Sequence, residues 1–110
     1  MEFNLITKFD KRAQLSKLQR FHTSKLNNDF NKLFVKRDDL IHNQVSGNKW
    51  RKLKWNVIRA LENNCNIIST YGGAYSNHLL ATAALGKDMN LQTRAFVRGD
   101  ELNYSSNHIL

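Results

Sequence analysis

A chain of 110 residues, 41% hydrophobic and 24% charged, has room for one domain and one modest core, with about 60 to 70% of its unfolded surface buried on folding. That composition excludes a disordered or membrane-embedded chain. The opening MEFNLITKFDKR lacks the apolar stretch of a secretory signal, and no later apolar run is long enough to span a bilayer, so a soluble, cytoplasmic protein is expected. The formal net charge of +8 is concentrated early: residues 1–37 carry nine Lys/Arg against three Asp/Glu, and residues 38–110 carry eight against six. The basic residues are single ones among Asn, Gln and Leu, without basic-aromatic alternation or zinc-finger spacing. They read as a solvated face rather than a nucleic-acid surface.

With no proline and five glycines, turns have to be read from Asn, Asp, Ser and Gly clusters. Leu15, Leu18 and Phe21 stand at helical spacing and predict a helix over 11–21, followed by a turn-rich stretch, 22–31. The apolar run Leu33-Phe34-Val35 predicts a strand within Lys32–Asp38, and Asp39–Asn48 a loop with Gly47 as its flexible point. From Lys49 to Asn63, Trp50, Leu53, Val57, Ile58 and Leu61 recur every three or four residues and predict an amphipathic helix. Ser46 or Asn48 is expected to cap it, and the Asn63–Asn66 cluster to end it. Ile67–Tyr71 reads as a buried strand and Gly72-Gly73 as the turn after it. Asn77–Lys87 reads as a helix packing through Leu79, Leu80, Ala83 and Ala84 and ended by Gly86, and Leu91–Arg98 as the next strand. Gly99-Asp100-Glu101 is the loop leaving that strand. The alternation of strand and helix predicts an α/β fold, a parallel sheet with flanking helices. Ligands of such sheets bind beyond the carboxyl ends of the strands, where the 72–78 loop falls.

Two stretches carry candidate chemistry. Lys49 stands at a helix start, where the positive end of the helix dipole and partial burial beside Trp50 favour a neutral amine, the form that attacks an aldehyde. By position alone an ordinary surface lysine is the commoner explanation. Gly72-Gly73 before Ser76-Asn77-His78 offers free backbone N–H groups and a helix N-terminus suited to a carboxylate or phosphate, although a tight turn with a serine cap has the same look. Cys65, the single cysteine, has no catalytic motif around it and is expected to be a small buried side chain. His22, His42 and His108 show no ligand spacing, so no metal is expected.

Taken in order, Lys36-Arg37-Asp38-Asp39-Leu40, then Ser46-Gly47-Asn48-Lys49-Trp50-Arg51-Lys52-Leu53, then Gly72-Gly73-Ala74-Tyr75-Ser76-Asn77-His78 resemble the opening of the 1-aminocyclopropane-1-carboxylate deaminase and D-cysteine desulfhydrase family. The resemblance runs from about Leu33 to Asn103. It implies the tryptophan-synthase-beta-like fold (fold type II) and pyridoxal 5'-phosphate as cofactor. It also implies a deaminase or lyase (a hydrolase by the deaminase's bookkeeping) acting on a small amino acid, in a full-length form that is a homo-oligomer. By it, Lys49 holds the cofactor as an aldimine and moves the α proton, with Asn48 beside it in the cofactor-binding motif. Asn77 binds the ring hydroxyl, and Ser76 contacts the substrate carboxylate and assists catalysis. Gly72, Gly73 and His78 line the substrate loop. Residues 1–31 then form an N-terminal segment and 32–110 a partial enzyme domain. The family's phosphate-binding loop, the partner of the pyridine nitrogen and later tyrosines correspond to positions past Leu110. A truncated, inactive product or small binding module is therefore the alternative expectation, with nucleic-acid binding through residues 1–37 as a third.

Overall fold

The structure, a computed structural model, describes residues 2–22 and 33–99. In chain order these form α1 (Glu2–Ala13), β1 (Leu18–Phe21), β2 (Leu33–Lys36), a 3-10 turn at Asp38–Leu40, α2 (Lys49–Glu62), β3 (Ile67–Gly73), α3 (Asn77–Asp88) and β4 (Gln92–Arg98). β3 and β4 pair in parallel from Ile67 beside Gln92 to Gly73 beside Arg98, with α3 as their crossover. This is the expected α/β arrangement of a parallel sheet with helices against it. The strand expected around Leu33 does not join that sheet. It pairs antiparallel with β1, Leu18 opposite Lys36 and Phe21 opposite Leu33.

The helix expected over 11–21 lies instead at Glu2–Ala13, and Leu18–Phe21 is a strand. Leu15, Leu18 and Phe21 stay exposed, whereas Ile6 and Phe9 are buried at 6% and 3% exposure. The earlier spacing therefore supplies the face that meets the core, and pairing with β2 claims the later one. The turn-rich stretch lies outside the described residues from position 23 onward, as do Lys32 and everything after Gly99.

The core gathers Ile6 and Phe9 of α1, Ile41 and Val45 of the loop between the 3-10 turn and α2, Trp50, Leu53 and Val57 of α2, and Ala81, Ala84, Leu85, Met89 and Leu91 around α3. Phe9 stacks on Trp50 with ring centroids 4.6 Å apart. Asp10 accepts from the Trp50 indole at 3.2 Å and from Lys54 Nζ at 2.7 Å. One aromatic stack and one carboxylate with two donors thus dock α1 on α2.

Asp38 is the second tie. Its carboxylate accepts from Ser16 Oγ at 2.6 Å and from Arg51 Nε and Nη2 at 2.8 and 2.9 Å, joining the loop after α1 to the first turns of α2. Its carbonyl accepts the N–H groups of Gly47 and Ile41. The Arg51 hydrogen bonds above all, with that of Ser16, hold the Asp38 carboxyl down at about 2. A lowered folded-state value adds stability above the ordinary carboxylate range and loses it as pH falls through about 4 to about 2. Asp38→Asn is accordingly expected to lower the urea midpoint at pH 7 by the equivalent of about 1 to 2 kcal/mol. The gap from the parent should close as the pH approaches 2. A gap that is constant with pH would separate Asp38 from the acid transition.

Alternation along the parallel pair turns Ile68, Thr70, Gly72 and Thr93 toward α3 and Ile67, Ser69, Tyr71, Arg94 and Phe96 away. The expectation of a buried strand at Ile67–Tyr71 is corrected: Tyr71 is 75% exposed and Phe96 46%, their rings stacked at 4.9 Å. Helices cover one face of this pair among the described residues, so along β3 exposed side chains alternate with half-buried ones, and β4 is exposed except for a half-buried Val97.

Both helices of this unit close in the same way. Cys65 N–H donates to Ala60 O and Asn64 N–H to Leu61 O; Leu91 N–H donates to Gly86 O and Asn90 N–H to Lys87 O. Asn64 and Asn90 each take φ 53°, which is the Schellman closure with asparagine in the left-handed position. Gly86 therefore does not end α3 as expected. It lies buried inside the helix where α3 presses on Thr93. The packing face also differs from the expected one, with Leu79, Ala81, Thr82, Ala84, Leu85 and Gly86 buried and Ala83 exposed. Cys65, expected to be buried, is exposed just past the closure of α2.

Candidate active site

Lys49 is the first residue of α2. The turn before it is built by Gly47 at φ +62°, a left-handed backbone that glycine adopts without strain, and by the Lys49 N–H donating to Ser46 O. Neither Ser46 nor Asn48 caps the helix by its side chain, contrary to expectation. Asn48 holds the N-cap place, but its amide oxygen accepts from Lys49 Nζ at 3.2 Å. The half-buried lysine is thereby tethered to its neighbour.

β3 follows α2 through the tight Asn63–Asn66 closure, so the helix and strand run in opposite senses and the start of α2 falls at the carboxyl edge of β3. α3 begins at the same edge. Two helix N-termini, each with partial positive charge, thus border the end of the strand. Gly72 makes the approach of α3 possible: a Cβ there would meet Leu79 Cγ and Cδ2 at 2.9 Å and Ser76 Cβ at 3.2 Å. Gly73 faces open space. β3 continues through both glycines, so the reversal falls at Ala74 and Tyr75 rather than at the glycines themselves.

Ser76 caps α3, the alternative that its place before the helix also allowed, its Oγ accepting the His78 N–H at 3.3 Å. Accepting there leaves the hydroxyl hydrogen able to donate outward. Asn77, the first residue of the helix, is exposed. His78 is half-buried, its Nε2 lies 2.9 Å from Thr70 Oγ1, and its carbonyl accepts from Thr82 Oγ1 at 2.8 Å. Burial, then the positive charges of Lys49 and Lys52, hold the His78 imidazole below its ordinary range, so it is neutral at neutral pH. That influence sets Lys49 within electrostatic reach of the 76–78 turn.

The residues expected to share a site are therefore gathered at one sheet edge: Lys49 and Asn48 on α2, Gly72 and Gly73 ending β3, and Ser76, Asn77 and His78 opening α3. Together they present an amine, a hydroxyl, an amide, a neutral imidazole and the positive end of a helix, although the Ser76, His78 and Leu79 N–H groups of that turn are donated to Gly73 O, Ser76 Oγ and Ser76 O; the set suits an anionic ligand that also carries a carbonyl or amine. The sequence reading missed Thr70. Its place on the helix-facing side of β3, one residue pair before Gly72, is the signal that could have found it. Among the described residues no group of three or more His, Cys, Asp or Glu side chains is arranged to hold a metal ion, and no helix is long and apolar enough to cross a membrane.

No protein-family model matches the chain. Over 70 residues it is 37% identical to the mitochondrial bifunctional D-cysteine desulfhydrase/1-aminocyclopropane-1-carboxylate deaminase of Arabidopsis thaliana, a match covering 64% of this chain and 18% of that protein. Over 79 residues it is 32% identical to the D-cysteine desulfhydrase of Yersinia pestis, covering 68% of this chain and 24% of that protein. The chain is similar to D-cysteine desulfhydrases and 1-aminocyclopropane-1-carboxylate deaminases. A crystal structure of an ACC deaminase homologue agrees in fold, with a TM-score of 0.68 at 28% identity over 79% of this chain and 26% of that one. The chain thus spans roughly a fifth to a quarter of the length of these deaminase and desulfhydrase relatives.

Proposed function

We propose that this chain carries the lysine side of a pyridoxal 5'-phosphate site in a deaminase or lyase acting on a small amino acid, of the 1-aminocyclopropane-1-carboxylate deaminase or D-cysteine desulfhydrase type. The observation that supports it most is the convergence of Lys49, Ser76 and Asn77 on one sheet edge in a chain similar to those enzymes. The donor set fits the reactive end of the cofactor. Lys49 Nζ would hold its aldehyde carbon, Asn77 its ring hydroxyl, and open space over Gly73 leaves room beside them. The phosphate and the pyridine nitrogen have no partner assigned in this chain.

Pyridoxal phosphate, when bound, supplies an electron sink for the negative charge that develops at the substrate α carbon. The remaining work belongs to the protein. The Lys49 amine, kept near Asn48 before use, would take the α proton of a substrate that has one, such as D-cysteine, and for the cyclopropane substrate, whose α carbon bears no hydrogen, a proton of an adjacent ring carbon. The Ser76 hydroxyl donates to the substrate carboxylate while its oxygen stays anchored on the His78 N–H. The N-terminus of α3 adds its partial positive charge to the same carboxylate. Departure of a β substituent such as hydrosulfide, or opening of the ring, would leave a product that water hydrolyses to a keto acid and ammonia.

The test is to incubate the full chain with pyridoxal phosphate, reduce with borohydride and map the modified lysine by mass spectrometry. Label concentrated on Lys49, and lost by about tenfold or more in Lys49→Ala, is the expected result. Label spread evenly over Lys49, Lys52 and Lys54, or undiminished in the variant, would take Lys49 out of the role.

A further inference from the structure

We infer that Thr70 is a positioning residue for this edge: through its hydroxyl it sets the orientation and tautomer of His78, and so the start of α3 that carries Ser76 and Asn77. The inference rests on the proposed reading of the 72–78 turn as a ligand site, but its basis is geometric. Thr70 lies on the α3-facing side of β3, two residues before Gly72, and its Oγ1 is 2.9 Å from His78 Nε2. His78 in turn donates its N–H to the Ser76 hydroxyl and accepts the Thr82 hydroxyl at its carbonyl. The Thr70 contact therefore bridges the end of the strand to the first turn of the helix, across the close approach that Gly72 permits.

The chemistry follows from the ring having two nitrogens. A neutral imidazole has one donor and one acceptor, so whichever role the Thr70 hydroxyl takes at Nε2 decides the role left to Nδ1. The charged groups facing the ring are Lys49 and Lys52 of α2. A protonated ring beside them would add a third cation, whereas a neutral ring with a fixed tautomer presents one defined polar nitrogen.

The test is nitrogen-15 NMR of the histidine rings in the full chain without cofactor, with the His78 signal assigned through His78→Gln. In the parent chain one His78 tautomer is expected to dominate. In Thr70→Val, which keeps the side-chain shape and removes the hydroxyl, the tautomer ratio should move toward the averaged value of a free imidazole and the titration midpoint should shift. Thr70→Ser should restore both. An unchanged ratio and midpoint in folded Thr70→Val overturns the inference. So does an averaged His78 tautomer in the parent chain, a result that needs no variant to fold. Because no cofactor is present, the outcome is independent of the Lys49 labelling: loss of Lys49 labelling specificity with a fixed His78 tautomer sinks the functional reading and leaves the Thr70 contact standing, and the opposite pair of results does the reverse.

Discussion

Trp50→Ala is expected to remove about 3 to 5 kcal/mol, the usual cost of truncating a buried tryptophan to alanine. Trp50 is 1% exposed, is among the largest fully buried side chains of the described core, and joins α1 to α2 through its stack on Phe9 and its indole bond to Asp10. Removing it leaves a cavity at the centre of the helical layer and takes one of two donors from the Asp10 carboxylate, with Lys54 left as the other. Since small domains are stable by only about 5 to 15 kcal/mol, thermal unfolding followed by far-UV circular dichroism should move down by about 10 °C or more. Trp55→Ala is the matched control. Trp55 is 69% exposed and meets Lys54 Nζ at 5.1 Å from the ring centroid, so its loss should cost no more than about 1 kcal/mol. Equal effects at the two positions would show that Trp50 is not the anchor of the core.

Gly86→Ala is the second large effect, and its sign is opposite to helix propensity. Alanine in a helix interior is ordinarily better than glycine by about 1 kcal/mol. Here an added Cβ would overlap Thr93 Cγ2 and come within 3.0 Å of Leu91 O, one of which is backbone and cannot turn aside. Overpacking of this kind costs about 1 to 3 kcal/mol, and the net expectation is destabilisation, with α3 pushed away from β4. Thr93→Ser removes the methyl and keeps the hydroxyl, so the double variant should recover part of the loss, read as a coupling energy in a double-mutant cycle by urea unfolding. Additive effects, or a stabilised Gly86→Ala, would mean that α3 and β4 do not meet at this point. Displacement of α3 would also carry Ser76, Asn77 and His78, so the same variant should weaken the Lys49 labelling described above.

Much of the candidate site was legible because it is local. Lys49 at the start of a strongly periodic helix and Ser76 capping another depend on a few neighbouring residues, and both elements fall within a residue of the expected bounds. Other features were illegible for a common reason. The spacing of Leu15, Leu18 and Phe21 suits a helix, but a separate partner strand, Leu33–Lys36, decides that Leu18–Phe21 is extended. Gly86 reads as a helix end until Thr93 is seen against it, and Asn90 then takes the left-handed closing position. Asn48 has the composition of a cap, yet its amide is taken by Lys49. Cys65 has the composition of a core residue, yet the Asn64 closure of α2 leaves it outside.

By itself, then, the sequence determined the amphipathic stripe of α2, the order of strand and helix from Ile67 to Arg98, and the residue types able to hold a carbonyl-bearing anion, since each follows from short-range periodicity and side-chain chemistry. Only the tertiary structure decided which strands pair, which sheet face is covered, that Asp38 ties the loop after α1 to α2, and that Thr70 reaches His78. Those depend on groups distant along the chain meeting in space. Their energies come from desolvation and hydrogen bonding between elements, which no single stretch of residues contains.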